Sequence, residues 1–205
     1  MTVSRDTIRA VTMGQRASAA WRRQRIIAEL GDARRLRYNA TLPSARVILD
    51  QKIDGKYWMY FQGELPHRPS QMGVAYSSDL IHWTEALDHP VLQNRPGYFD
   101  SKVVEPGPPP VVIQEGILLV YNGADDKDVF ATGWVLFDKQ DPAKVLARSD
   151  QPIFGVKEEW EKAGQVPNVV FVEGMIRQSN RWLFYYGAAD KYIGVAAAHL
   201  RGLSL

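Results

Sequence analysis

Short apolar segments broken by Gly, Pro and Asp follow one another from Ser44 to the end of the chain. Many of them are rich in β-branched and aromatic residues, a composition typical of short strands joined by turns. The start of the chain differs, because residues 17–30 contain no Pro and place apolar residues at a loosely helical spacing. The pattern predicts an all-β body, residues 44–205, behind an N-terminal arm of partly helical character, residues 1–43.

One pattern occurs three times in the body. An aromatic residue two positions before a Gly occurs at Phe61–Gly63, Tyr121–Gly123 and Tyr185–Gly187. A predicted hairpin precedes each copy, and a second strand led by Gly follows it, at Gly73, Gly133 and Gly194. A period near 60 residues made of short antiparallel strands is typical of propeller blades, which bury their faces against neighbouring blades.

About three blades fit within the body, and three blades cannot close a ring, because a propeller needs at least about four. Two interpretations therefore stay open. Either the chain is a fragment of a larger propeller, truncated on its N-terminal side, or it forms an open arc with exposed blade faces. In both cases self-association, or a partner that carries the missing blades, would cover those faces.

Two polar segments are expected to be structural. Tyr76–Trp83 places Ser and Asp before an aromatic residue, which predicts a hydrogen-bonded corner of a blade. Asp138–Asp150 is expected to connect two blades, with a capped start at Asp141 and Pro142.

Charge is balanced over the whole chain but not along it. Lys and Arg number 25 and Asp and Glu 23, so no net field favours a nucleic-acid partner. Residues 1–40, however, carry nine Arg and only three acidic residues. A solvated arm without a function of its own is the expectation for this basic segment.

The absence of certain residue types and motifs from the sequence excludes several classes of functional site. The chain has no Cys, which removes disulfides, thiolate catalysis and Cys-based zinc sites. The four His residues show no spacing typical of metal ligands, and no nucleotide-binding or serine-hydrolase motif occurs. No cofactor, metal or membrane contact is therefore predicted, and without a secretory signal the expected location is the cytoplasm.

Acidic residues recur just after each aromatic–Gly pair, at Glu64, Asp125 and Asp190. In a propeller, equivalent positions converge on one mouth of the central channel. Glu105 joins this group, because Pro106 to Pro110 are expected to hold it in a stiff loop between strands. Carboxylates beside aromatic rings suit the binding of a sugar. For any single carboxylate in a turn, a structural role as acceptor of backbone N–H groups is about equally expected.

Six ordered motifs resemble glycoside hydrolase family 130, five-bladed propellers that include mannoside phosphorylases and β-mannosidases. They are Lys52–Tyr60, Gly107–Pro110, Tyr121–Gly123, Asp141–Arg148, Val166–Phe171 and Tyr186–Asp190. The resemblance implies substrate contacts at Asp190, Tyr121, Asn122, Asn168 and Tyr186.

The resemblance also implies where the chain departs from the phosphorylases. Three basic residues hold phosphate in those enzymes, and the corresponding positions here are Gln62, Val112 and Asn122. Glu64 and Glu105 stand close by, as in the hydrolytic branch, which attacks with water. His67–Pro69 offers a displaced basic motif, and the family's usual catalytic Asp falls near Ala45.

The expected function is therefore hydrolysis of β-mannosides, more specifically of β-1,2-linked manno-oligosaccharides, by an inverting mechanism in which Glu64 and Glu105 are catalytic. Two alternatives remain. One is a β-mannoside phosphorylase that releases mannose 1-phosphate, and the other is an inactive or carbohydrate-binding propeller fragment.

Overall fold

The structure, a computed structural model, describes residues 11–12, 45–63, 69–179 and 181–198. The helical segment predicted within residues 17–30 lies outside them. The elements, in chain order, are β1 (Val11–Thr12), β2 (Arg46–Ile48), β3 (Tyr57–Gly63), β4 (Gln71–Ser77), β5 (Thr84–Glu85), β6 (Val103–Pro106), β7 (Val111–Ile113), β8 (Gly116–Ala124), β9 (Phe130–Phe137), β10 (Val145–Arg148), β11 (Phe154–Gly155), α1 (Glu159–Lys162), β12 (Val170–Gln178), β13 (Arg181–Ala188) and β14 (Tyr192–Ala198).

These strands form three sheets in the described part of the chain. The first sheet has the order β2-β3-β4-β5. In the second, β6 and β7 both pair with β8, which pairs with β9, and β9 pairs with β10 and β11. The third has the order β1-β14-β13-β12. The all-β prediction is confirmed, and each copy of the sequence pattern gives one antiparallel sheet; a ring of five blades stays a prediction.

The second sheet lies between the other two. Every residue of β8 is buried, and its side chains alternate between the two neighbours. Leu119 and Tyr121 join a core cluster with the first sheet, through residues such as Tyr60. Val120 joins another cluster with the third sheet, through residues such as Phe184. A strand that is apolar on both faces is expected where a sheet is covered on both sides.

The third sheet includes a strand from the start of the chain. Val11 and Thr12 pair antiparallel with Ile193 and Tyr192 of β14. Part of the basic arm thus reaches the edge of the last sheet. The division of the chain at residue 44 stays a prediction.

A glycine faces an aromatic ring across the second and third strands of each copy. The pairs are Phe61 with Gly73, Tyr121 with Gly133, and Tyr186 with Gly194. In each pair the ring lies over the glycine, in the space that a Cβ atom would occupy. The glycines that lead the second strand of each copy are thus explained by packing.

Replacing Gly133 by Ala tests this packing. A Cβ atom there would lie 2.5 Å from Phe99 Cζ and 2.9 Å from Tyr121 Cζ, both held in place by neighbouring strands and loops. We expect Gly133→Ala to lower the free energy of unfolding by about 1–3 kcal/mol, measured by urea denaturation. Gly187→Ala is the control, since its Cβ atom would meet only Phe171 O, at 3.9 Å. Equal stability of both variants would contradict the packing argument.

The predictions for the two polar segments have different outcomes. The corner predicted at Tyr76–Trp83 is confirmed, because Asp79 Oδ1 accepts the N–H groups of Ile81 and His82 and Ser77 Oγ accepts that of Leu80. The prediction for Asp138–Asp150 is wrong in part. Asp141 does cap the start, because its Oδ1 accepts the N–H of Ala143 at 3.1 Å, but the segment then supplies strand β10 to the second sheet and is more than a connector.

Candidate functional site

Of the three turns that were expected to converge, the structure describes those that follow β8 and β13, and the convergence itself stays a prediction. Glu64 follows β3 but lies outside the described residues. Asp125 follows β8, and its Oδ1 accepts the N–H groups of Lys127 at 2.9 Å and Val129 at 3.0 Å. The carboxylate of Asp125 therefore holds its own turn together. Asp190 follows β13, and its side chain is exposed.

Glu105 is buried, with only 8% of its surface exposed. It lies within strand β6, so the prediction that it sits in a loop is wrong. Pro106 ends the same strand without disrupting it. β6 pairs with β8 on one side, and its described contact on the other side is a single parallel bridge of Ser70 with Val103, at the end away from Pro106. An edge strand tolerates a residue that has no N–H to donate. The neighbouring prolines still separate β6 from β7 and make this part of the chain stiff.

Asn122 is the cross-strand neighbour of Glu105. It is fully buried, and its Nδ2 donates to Val172 O at 3.0 Å while its Oδ1 accepts from Val172 N at 2.9 Å. These two bonds cross from the second sheet to the inner strand of the third. Asn122 therefore fixes the spacing of the two sheets directly beside Glu105. Its substrate contact stays a prediction, and the structure gives it a structural role.

Tyr121 belongs to a buried charged cluster that the sequence did not reveal. Its Oη donates to Asp100 Oδ2 at 2.6 Å, and Arg148 Nη2 donates to the same oxygen at 2.6 Å. Arg95 donates to both oxygens of Asp100, from Nε at 3.1 Å and from Nη2 at 2.9 Å. Asp100 is completely buried. We call these four residues the Asp100 cluster.

The Asp100 cluster ties the loop before β6 to strands β8 and β10. Burial raises the pKa of Tyr121 well above its usual value; Asp100 raises it further, and the charge of Arg148 opposes the increase. The phenol thus stays protonated and serves as a donor. Tyr121 lies on the face of β8 opposite to Asn122, which places the two predicted substrate contacts on different sides of the second sheet. The substrate role of Tyr121 also stays a prediction.

Tyr186 has a similar structural partner. Its Oη donates to Glu161 Oε1 at 2.7 Å. Glu161 is fully buried, and its other oxygen accepts the N–H groups of Lys157 at 2.6 Å and Glu158 at 2.9 Å. This carboxylate closes the first turn of α1 and attaches the helix to β13. A substrate contact of Tyr186 stays a prediction.

Asn168 and Asp190 lie in neighbouring turns at the same edge of the third sheet. Both have positive φ angles, 60° and 51°, a conformation uncommon for residues other than Gly. The turns are joined because Ala189 N donates to Val169 O at 3.0 Å. Within the described residues, neither side chain forms a hydrogen bond. Of the predicted substrate contacts, these two side chains are the ones that form no hydrogen bond among the described residues.

The three positions that were expected to correspond to phosphate contacts in the phosphorylases all hold neutral side chains. Gln62 is buried, and its Nε2 donates to Ser70 Oγ at 2.8 Å. Val112 packs against the core between the first and second sheets. Asn122 is bound to the backbone of Val172, as described above. Ala45, near the position of the family's usual acid, contributes only its carbonyl, which accepts the N–H of Gln62 at 2.9 Å.

Metal and membrane features were also sought in the described residues. These residues contain no group of three or more His, Asp or Glu that could hold a metal ion. Among them, no helix has the length and apolar character that crossing a membrane requires.

A family model described as "beta-1,4-mannooligosaccharide phosphorylase", glycoside hydrolase family 130, matches residues 4–203. The chain belongs to glycoside hydrolase family 130. The match begins near the start of the chain, so family 130 similarity extends into the N-terminal arm. The family predicted from the six motifs is thereby confirmed.

Characterised family 130 proteins show how closely the chain resembles them. It is 39% identical over 157 residues to a 1,2-β-oligomannan phosphorylase of Thermoanaerobacter sp. (strain X514), which covers 76% of this chain and 50% of that protein. The structure of a β-1,2-mannobiose phosphorylase from Listeria innocua in complex with β-1,2-mannobiose matches with a TM-score of 0.73 and 32% identity, covering 78% of this chain and 45% of that one.

A second similar structure has a description that names both activities of family 130. It is described as showing that this family of mannoside phosphorylases contains glycoside hydrolases that target β-1,2 mannosidic linkages in Candida mannan. It matches with a TM-score of 0.68 and 35% identity, covering 78% of this chain and 49% of that one. The chain spans about half the length of the curated relatives it matches.

Proposed function

We propose that this chain forms part of an enzyme that acts on β-mannosides, specifically β-1,2-linked manno-oligosaccharides. Family membership supports this substrate class, because three of the four curated relatives are named for β-1,2-linked mannosides. Asn168 and Asp190, in adjoining turns, are the proposed sugar contacts. Within the described part of the chain their amide and carboxylate form no hydrogen bond, and these groups offer donors and acceptors to sugar hydroxyl groups.

We further propose that water, rather than phosphate, attacks the anomeric carbon. The observation that supports this is the state of Gln62, Val112 and Asn122, which are neutral and engaged inside the protein. A phosphate dianion moved from water into a site without cationic partners would lose several kcal/mol. A buried carboxylate, Glu105, is the cross-strand neighbour of one of these positions and would repel phosphate further.

In the proposed mechanism, Glu64 and Glu105 are the catalytic carboxylates. One of the two takes a proton from the water as it adds to the anomeric carbon, and an acid protonates the leaving oxygen as its bond to that carbon breaks. Inversion requires the acid and base carboxyl groups to stand about 6.5–9.5 Å apart, so that a water fits between them. The other of the two Glu residues is the candidate for this acid, since Ala45 stands in the region where the family's usual Asp is expected.

Phosphorolysis is the second candidate, and a specific observation favours it. All four curated relatives are named as phosphorylases. His67–Pro69 also contains Arg68, a cation close in sequence to Gln62. A non-catalytic, carbohydrate-binding role is the third candidate, because the chain spans only about half of its relatives.

Product analysis separates the three candidates. The chain is incubated with β-1,2-mannobiose, with and without inorganic phosphate, and the products are separated by ion chromatography. We expect free mannose at the same rate in both reactions, with the α anomer of the released non-reducing residue appearing first in NMR spectra because the reaction inverts. Mannose 1-phosphate formed only with phosphate would contradict hydrolysis and support the phosphorylase. A folded chain that binds mannobiose but forms neither product would support the binding role.

A further inference from the structure

The turn that contains Asp190 is bound to the loop that follows α1. Ala189, the residue before Asp190, has a φ angle of 47°, a conformation that an alanine keeps only where its surroundings hold it. Its carbonyl accepts the N–H of Gln165 at 2.9 Å and that of Val166 at 3.3 Å. Gly164 approaches the same carbonyl so closely that a Cβ atom there would overlap with it. Only a glycine at position 164 therefore lets the loop reach this turn.

α1 is also joined to the turn that contains Asn168. Val169, the next residue, donates its N–H to Glu161 O at 3.2 Å, and its own carbonyl accepts the N–H of Ala189 at 3.0 Å. Backbone hydrogen bonds thus run from α1 to the Asn168 turn and on to the Asp190 turn. The two turns share one support, so a displacement of α1 is expected to reach both.

Glu161 is the side chain that anchors this support. Its carboxylate is completely buried and meets three donors. Oε1 accepts from Tyr186 Oη at 2.7 Å, and Oε2 accepts the N–H groups of Lys157 at 2.6 Å and Glu158 at 2.9 Å. Tyr186 lies on β13, the strand that leads into the Asp190 turn. A buried polar network of this kind specifies one arrangement of the chain, because moving any partner leaves a buried polar group unpaired.

We propose that Glu161 and Gly164 are positioning residues that hold the Asn168 and Asp190 turns in the conformation that binds the sugar. This inference rests on the proposed function, because the two sugar contacts are themselves proposed there. Glu161 is buried and Gly164 has no side chain, so both act on the substrate only through the turns. Hydrogen bonds weaken steeply when donor and acceptor are misaligned, so the conformation of the turns decides how tightly the sugar binds.

Two variants test the proposal by different routes. Glu161→Gln keeps one oxygen for the backbone N–H groups of α1, so the helix should persist. Its NH2 group would face the hydroxyl of Tyr186, which then loses its acceptor. Gly164→Ala changes no charged or polar side chain, and its Cβ atom would push the loop away from Ala189 O. Should Glu161→Gln fail to fold, Gly164→Ala carries the test.

Glu159→Gln is the matched control. It makes the same chemical change as Glu161→Gln on the same helix, but the side chain of Glu159 is 90% exposed and pairs with Lys162 in solvent. Urea denaturation defines conditions under which each variant is fully folded. All binding and rate measurements are made under those conditions, so that lower stability alone does not change them.

The affinity for β-1,2-mannobiose is measured by isothermal titration calorimetry, and KM and kcat by initial rates of mannose release. We expect both test variants to raise Kd and KM by about tenfold or more, the effect of losing hydrogen bonds to charged or polar groups. We expect kcat to change by less than about threefold, because the lost contacts bind substrate and transition state alike. Glu159→Gln should match the unmodified chain. A purely structural role would lower stability and leave Kd and KM unchanged.

Amide hydrogen exchange at Val169 and Ala189 reports on the turns without any sugar. We expect it to be about tenfold or more faster in the test variants, with exchange in β8 unchanged. If the unmodified chain binds mannobiose and the folded test variants bind it equally well, or if exchange at the two turns is unchanged, the positioning role is overturned and the proposed function stands. If the unmodified chain binds no mannobiose, the proposed function fails and this inference fails with it.

Discussion

Asp100→Asn is expected to lower the free energy of unfolding by about 3–5 kcal/mol, the largest change in stability anticipated for this chain. Asp100 is completely buried and receives hydrogen bonds from Arg95, Arg148 and Tyr121. An amide would turn N–H groups toward some of these donors and remove the negative charge between two guanidinium groups. The mostly buried Arg148 would then lose the counter-charge of Asp100, and Arg95 would keep the exposed Asp150.

Urea denaturation followed by tryptophan fluorescence measures this effect. Asp150→Asn is the matched control, because Asp150 also binds Arg95, at 3.2 Å, but its side chain is 76% exposed. Exposed ion pairs contribute about 0–1 kcal/mol, so we expect little change in the control. If Asp100→Asn costs less than the control, the Asp100 cluster does not hold the loop before β6 in place.

Glu105→Gln is expected to reduce kcat for β-1,2-mannobiose hydrolysis by about 10²–10⁴-fold, the usual contribution of a general acid or base. Glutamine has the same shape as glutamate, so the strand pairing with Asn122 should persist. The loss would therefore come from the proton-transfer step and not from unfolding. The measurement is initial-rate kinetics on mannose release, together with the thermal unfolding midpoint.

The control for this variant is Glu115→Gln, an exposed carboxylate in the turn between β7 and β8. Its kcat should match that of the unmodified chain. Retained turnover in Glu105→Gln would remove Glu105 from the mechanism while leaving the substrate class intact. A measurable rate in the unmodified chain is established first, so that a failure of the proposed function is distinguished from a failure of this residue assignment.

The repeated elements could be predicted from the sequence because their causes are local. Asp54 and Gly55 at the first hairpin have φ angles of 49° and 73°, the positive values that an Asp-Gly turn predicts. The glycine opposite an aromatic ring likewise follows from spacing within one copy. In the third copy the ring over Gly194 belongs to Tyr186 and not to Tyr185, because the turn before β14 is shorter and changes which residues face each other.

The contacts between distant segments could not be predicted in the same way. Asp100 and Arg148 are 48 residues apart, and their pairing depends on how the loop before β6 folds back over β10. Asn122 was expected at the substrate, but the position of Val172 in the next sheet decides what its amide binds. The strand position of Glu105 was missed because Pro106 was expected to end strand structure. The low strand propensity of Pro correctly argued against a central strand at this position. β6 lies at the edge of its sheet, where Pro106 is tolerated.

The proline-rich inner edge of the second sheet has a consequence for solubility. Unpaired N–H and C=O groups along an edge strand are a template on which strands of other molecules add. Pro106, Pro108, Pro109 and Pro110 have no N–H groups, so the edge formed by β6 and β7 is a poor template for such growth. Aggregation of this chain through ordered strand addition is therefore disfavoured at that edge. Non-specific aggregation through exposed apolar side chains is not affected by these prolines.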